Sequence, residues 1–151
     1  MGSVARIVVG VDGSDGSLDA LRWAIDEARL RGARLVAVHA WLAPYAPAMP
    51  GVGEPAALPV DREPIARAAH EALEASLREV AADEGGVEIE RAVIEESPAH
   101  ALLDQAEGAD LLVVGSRGHG RIAGALLGSI SQKVAQHAPC PVVIVREQQA
   151  D

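Results

Sequence analysis

Apolar positions along this chain fall into two alternating patterns. Residues 6–11 (RIVVGV) form a short, nearly continuous apolar run that stops at the turn-forming cluster Asp12-Gly13-Ser14-Asp15-Gly16. A β-branched run of that length predicts a buried strand followed by a loop. Leu18, Leu21, Ile25 and Ala28 then recur with helical spacing, Ser17 is placed to cap the start, and Gly32 lies just past the end. Residues 35–40 (LVAVHA) form a second apolar run. A strand, helix, strand succession requires parallel pairing through a right-handed crossover, so the class is α/β.

Residues 42–60 carry most of the prolines, together with Gly51 and Gly53, and show no periodicity, which predicts a long loop. A second helix is expected from about Pro64 to Ala82, with Ile65, Ala69, Leu73, Leu77 and Val80 on one side, ending before Gly85-Gly86. Residues 87–93 alternate apolar and polar, as in an edge strand with one solvated face. Ser97-Pro98 opens a short helix holding Leu102, Leu103 and Ala106. Residues 110–114 (DLLVV) form a buried strand that runs into Gly115-Ser116-Arg117-Gly118-His119-Gly120. A helix from about Ile130 to Ala138 leads to a last strand, Val142–Val145. Five strands alternating with four helices predict one domain over residues 1–151, an open parallel sheet covered by helices on both faces.

Composition sharpens this reading. The chain is 49% apolar yet has no Phe, two Trp and one Tyr, so aliphatic strands and Ala-rich helices must fill the interior. With a formal charge of −9 and no basic stripe, it is a poor match to nucleic acid. No apolar run reaches membrane-spanning length and no basic leader is visible, which points to a cytoplasmic protein without membrane attachment. The single cysteine, Cys140, agrees with a reducing compartment.

In open parallel sheets, ligands sit beyond the carboxyl ends of the strands where the strand order reverses. Two loops suit that position: Asp12-Gly13-Ser14, and residues 115–128. Gly115 and Gly118 can adopt backbone angles closed to other residues and leave the main chain bare, so successive N–H groups can converge on phosphate oxygens. Gly128-Ser129-Ile130-Ser131-Gln132 reads as a helix start, with Ser129 as N-cap and Gln132 as capping-box partner. Free N–H groups at such a tip attract anions even in an acidic protein, here assisted by Arg117, Ser129 and Ser131.

Glycine, two residues, glycine, nine residues, then Gly-Ser: Gly115, Gly118, Gly128 and Ser129 match the ATP-binding signature of the universal stress protein family. The resemblance extends to residues 9–14 (VGVDGS), 38–40 (VHA), 97–99 (SPA, where the family usually has Gly in place of Ser97) and 138–143 (APCPVV), but not to 42–60. It implies an adenine-nucleotide alpha-hydrolase-like sheet of order 3-2-1-4-5, with Asp12 close to Gly115. By position, main-chain atoms of Gly10, Val11 and Ala40 would face adenine or ribose, and Asp12 would meet ribose or a Mg2+ ion held by the phosphates. Gly115, Gly118, Gly128, Ser129, Ile130 and Ser131 would cradle the triphosphate, with Arg117 and His119 beside it. The implied protein is a stress-response nucleotide sensor with at most slow ATP hydrolysis. The apolar strand Val142–Val145, outermost in that order, predicts a homodimer.

Plainer roles exist for several of these residues. Asp12 can serve its own turn through an Asx-type bond, and Arg117 and His119 can be solvated loop residues. Trp41 can cover an adenine or simply pack, and His39 suits a hydrogen-bonded position under the first loop. His70, His100 and His137 read as surface residues, and Cys140 as buried rather than reactive. Gly118-His119-Gly120-Arg121-Ile122-Ala123 also fits the dinucleotide pattern G-x-G-x-x-G/A, with Glu147 after a later strand, which makes a nicotinamide or flavin site the enzymatic rival. No lysine lies in 115–131, as a Walker-type ATPase would require, and the remaining class is a nucleotide-free dimeric interaction module.

Overall fold

The computed structural model describes residues 3–46, 50, 51, 53, 56, 57, 60–80, 82–118 and 127–147. Strand β1 (Arg6–Gly10) leads through helix α1 (Asp15–Arg31) to β2 (Arg34–Trp41). The proline-rich stretch, expected as an unpaired loop, contains a short antiparallel pair, β3 (Tyr45–Ala46) with β4 (Ala56–Ala57). Two rungs of ladder carry no periodicity that a sequence could show. Helix α2 (Arg62–Glu79) and a 3-10 turn (Ala82–Gly85) precede β5 (Ile89–Glu95), and α3 (Pro98–Gln105), β6 (Leu111–Gly115), α4 (Ser129–His137) and β7 (Val142–Val145) complete the chain.

The large sheet has the order β5-β2-β1-β6-β7 with every neighbouring pair parallel, which is the expected 3-2-1-4-5. Alternate residues of each strand feed two cores. Ile7, Val9, Leu35 and Val113 face Leu21, Ile25, Leu73 and Leu77 of α1 and α2. Val8, Val36 and Leu112 face Leu102 of α3 and Val134 of α4. Because both faces are covered, the inner strands are continuous apolar runs rather than alternating ones.

Two expectations about helix starts and one about a strand face are corrected. Helix α1 is capped by Ser14, whose hydroxyl oxygen accepts the Ser17 N–H at 3.3 Å; Ser17 sits inside the helix, and its hydroxyl accepts the Asp12 N–H at 3.2 Å. Helix α2 begins before Pro64 because the Asp61 carboxylate caps it, accepting the Glu63 N–H at 3.0 Å. Strand β5 is solvated on one face only around Glu88 and Glu90; farther along, Ala92 and Ile94 pack toward the α3 side. The C-terminal stop of α1 is as expected, with Gly32 at φ 63°.

Candidate functional site

Strand β1 is flanked by β2 on one side and β6 on the other, and the connections leaving β1 and β6 run in opposite directions. The loops after these two strands therefore diverge, and a cavity of about 150 Å3 opens between them. Every residue expected at the site lines it, namely Gly10, Val11, Asp12, Ala40, Gly115, Arg117, Gly118, Gly128, Ser129, Ile130 and Ser131, except His119, which lies outside the described residues.

The glycines are needed for space, not for unusual torsions. Gly115 and Gly118 are not among the positive-φ glycines, contrary to the expectation that they use angles closed to other residues. Instead the first loop and the glycine loop touch backbone to backbone. A Cβ on Gly115 would lie 2.8 Å from the Gly16 carbonyl oxygen and one on Gly16 2.6 Å from the Arg117 carbonyl oxygen, whereas one on Gly118 would meet a side chain, 2.5 Å from Asp12 Oδ2. In the first loop only Gly13, at φ 85°, needs the left-handed region.

Asp12 does form the Asx-type turn, since its Oδ1 accepts both the N–H (2.9 Å) and the hydroxyl of Ser14. Its Oδ2 is the oxygen nearest Gly118, so the same carboxylate spans the two loops. His39 is satisfied as expected: Nδ1–H donates to the Val11 carbonyl at 2.8 Å. That contact has a consequence for β2. The β1–β2 ladder ends with the Val11 N–H on the Val38 carbonyl at 2.8 Å. In a parallel ladder alternate residues turn their N–H and C=O to the same side. Ala40 therefore directs its main-chain donor and acceptor past the end of β1, toward the cavity it lines.

The cavity has two halves. Gly10, Val38, Ala40, Pro98 and Leu102 make an apolar slot, whereas Asp12, Arg117, Gly118 and the first turn of α4 make a polar one. Sequence reading missed Val38, Pro98 and Leu102. Pro98 and Leu102 are one helical turn apart at the start of α3, a helix that begins at the carboxyl end of the sheet, and that spacing was the available signal. Trp41 is half-buried and not among the lining residues.

At α4 the N-cap is Gly128, not Ser129, and no side chain caps the end, so the capping box with Gln132 does not form. The Gly128 N–H is held by the Ser116 carbonyl at 2.7 Å, and the first helical bond runs from the Gln132 N–H to the Gly128 carbonyl at 3.0 Å. The N–H groups of Ser129, Ile130 and Ser131 thus form a helix tip without intrahelical acceptors, beside the cavity. Such a tip favours an anion.

Other titratable groups stand apart from this chemistry. Burial, with Asp110 and Glu107 nearby, pushes the Cys140 thiol up, which keeps it protonated and poorly nucleophilic. His70, His100 and His137 are exposed. Among the described residues no group of three or more His, Cys, Asp or Glu could hold a metal by itself, and no helix is long and apolar enough to cross a membrane.

The sequence model of the universal stress protein family matches residues 4–146. This chain belongs to that family. A universal stress protein of Mycobacterium tuberculosis is 40% identical over 143 residues, covering 95% of this chain and 46% of its own length. The chain thus spans about half the length of such relatives. Among solved structures, a universal stress protein in complex with cAMP is 33% identical, with a TM-score of 0.65 over 97% of this chain and 100% of that one. A universal stress protein from Archaeoglobus fulgidus in complex with dAMP is 27% identical, with a TM-score of 0.64 over 96% and 99%.

Proposed function

We propose that residues 1–151 act as one nucleotide-binding domain that takes up ATP with Mg2+ and serves as a cytoplasmic stress-response sensor rather than a dedicated enzyme. The observation that carries this reading is the uncapped α4 tip, which faces Asp12 and Gly118 at one end of a slot whose other end is apolar. The slot between Gly10, Ala40 and Leu102 suits a flat base. The Ala40 N–H and C=O offer an in-plane donor and acceptor, the complement of adenine N1 and its exocyclic amine. At the other end the amides of Ser129 and Ile130 and the Arg117 side chain meet phosphate oxygens.

Asp12 is the one carboxylate lining the cavity among the described residues, so it fits Mg2+ only as a partial ligand, the remaining oxygens coming from phosphates and water. The ion would offset the repulsion between that carboxylate and a triphosphate tail. The absence of lysine from 115–131 supports slow hydrolysis at most. The cAMP and dAMP complexes of the two similar proteins support an adenine nucleotide as the ligand class.

The test is to denature purified protein, identify released nucleotide by mass spectrometry, and titrate ATP, AMP and NAD side by side with and without Mg2+. ATP is expected to bind most tightly, and only with Mg2+ present. Gly128→Val and Ser129→Asp are expected to abolish ATP binding while leaving the circular dichroism spectrum intact. A dinucleotide binding better than ATP, or both variants retaining ATP, would remove the proposal.

A further inference from the structure

The phosphate end of this cavity contains a buried hydroxyl that does not point at a ligand. Ser131 is 2% exposed, and its Oγ lies 2.9 Å from the Ser116 carbonyl oxygen and 3.0 Å from the Gly128 carbonyl oxygen. Its single proton is thus directed at two main-chain acceptors. The Ser116 carbonyl also takes the Gly128 N–H at 2.7 Å, and the Ser116 N–H is held by the Val145 carbonyl at 2.9 Å. One residue at the end of β6 therefore receives two bonds on its carbonyl from the start of α4 and is tied to β7 through its N–H.

This arrangement replaces ordinary helix capping. A side-chain cap would place an acceptor oxygen on the N–H of the second or third helical residue. That oxygen would occupy the position a phosphate needs. Here the N-cap is glycine, and the helix start is fixed by donating outward to Ser116, which leaves the first-turn amides unused. The angle of the tip is then set by two bonds to one carbonyl, and removal of either frees α4 to tilt away from Gly118.

Resting on the nucleotide reading above, we propose that the Ser131 side chain is a positioning group: through the Ser116 carbonyl it holds the α4 tip where its amides meet phosphate, and its hydroxyl does not touch the ligand. In this proposal any contact of Ser131 with the triphosphate comes from its main-chain N–H and not from its hydroxyl. Ser131→Ala removes one atom and leaves the Ser116 carbonyl bonded to Gly128, so the fold is expected to survive.

The test uses the intact chain and three measurements. In calorimetric titrations Ser131→Ala is expected to weaken ATP about tenfold, one ordinary hydrogen bond's worth, and to leave adenosine within about twofold. In the unliganded protein, amide exchange followed by NMR is expected to accelerate at Gly128, a change that loss of a mere phosphate contact would not produce. Unaltered ATP affinity, an equal loss for ATP and adenosine, or weakened ATP with unchanged Gly128 exchange would each overturn the inference while leaving the nucleotide site standing. A wild-type protein that binds no adenine nucleotide would overturn both.

Discussion

Gly16 shows how one missing atom connects sequence to site. It lies in the first turn of α1, where alanine would gain about 1 kcal/mol of helix propensity. A Cβ there would stand 2.6 Å from the Arg117 carbonyl oxygen, and a main-chain atom cannot swing aside as a side chain can. Overpacking of this kind costs about 1–3 kcal/mol, which outweighs the propensity gain. Gly16→Ala is therefore expected to lower stability by up to about 2 kcal/mol in a urea titration and to weaken ATP by spreading the two loops. A gain in stability with affinity unchanged would contradict the close approach. From the sequence, Gly16 was legible only as part of a turn cluster; its real constraint comes from a residue far along the chain.

At the scale of elements, α3 and α4 both begin beside the cavity, and neither uses a side-chain cap. Just before α3, partial burial and the neighbouring Asp104 carboxylate hold the Glu96 carboxyl above its ordinary value, with His100 pulling the other way. The folded state therefore binds this proton more tightly than the unfolded chain. The group's contribution to stability is fully present below its unfolded pKa and is lost as pH rises through the folded one. Glu96→Gln is expected to melt higher than the parent protein at neutral pH, with the difference vanishing in acid; thermal melts across that range check it. The opposite ordering at neutral pH would remove the repulsion argument. The five strands of the large sheet and the four α-helices were legible because long apolar periodicities survive burial, whereas the β3–β4 pair was not. The caps at Gly32 and Ser97 were legible, but those of α1 and α4 at their starts were not. Ser17 and Ser129 were plausible by residue type, whereas Ser14 caps α1 through the Ser17 N–H and Gly128 starts α4 with its own N–H held by the Ser116 carbonyl.

For the whole molecule, the two sheet edges differ. Strand β5 carries Glu90, Arg91 and Glu95, while β7 is Val-Val-Ile-Val with every residue half-buried. A charged edge resists pairing and an apolar one invites it, which supports the homodimer through β7 that the sequence leads one to expect. Register tells which groups are open. The Pro141 and Val145 carbonyls serve β6, so the odd residues face inward and Val142 and Ile144 direct their N–H and C=O outward. Size-exclusion chromatography with light scattering is expected to return a dimer for the wild type. Ile144→Pro, which removes an outward N–H and spares the ladder to β6, is expected to return a monomer. A monomeric wild type at micromolar concentration would end the dimer proposal.

The sequence by itself determined the parallel α/β class, the alternation of elements and the two loops that meet at the cavity. Each of these follows from local chemistry: apolar periods, turn clusters and glycine spacing act within a few residues. Only the tertiary structure decided why Gly115 and Gly118 are glycine, how His39 ends a ladder so that Ala40 faces the cavity, and that the Ser131 hydroxyl serves Ser116. Those are contacts between segments separated in the chain, backbone on backbone at Gly115 and side chain on backbone at Gly118, His39 and Ser131, and no local pattern encodes the distances between those segments.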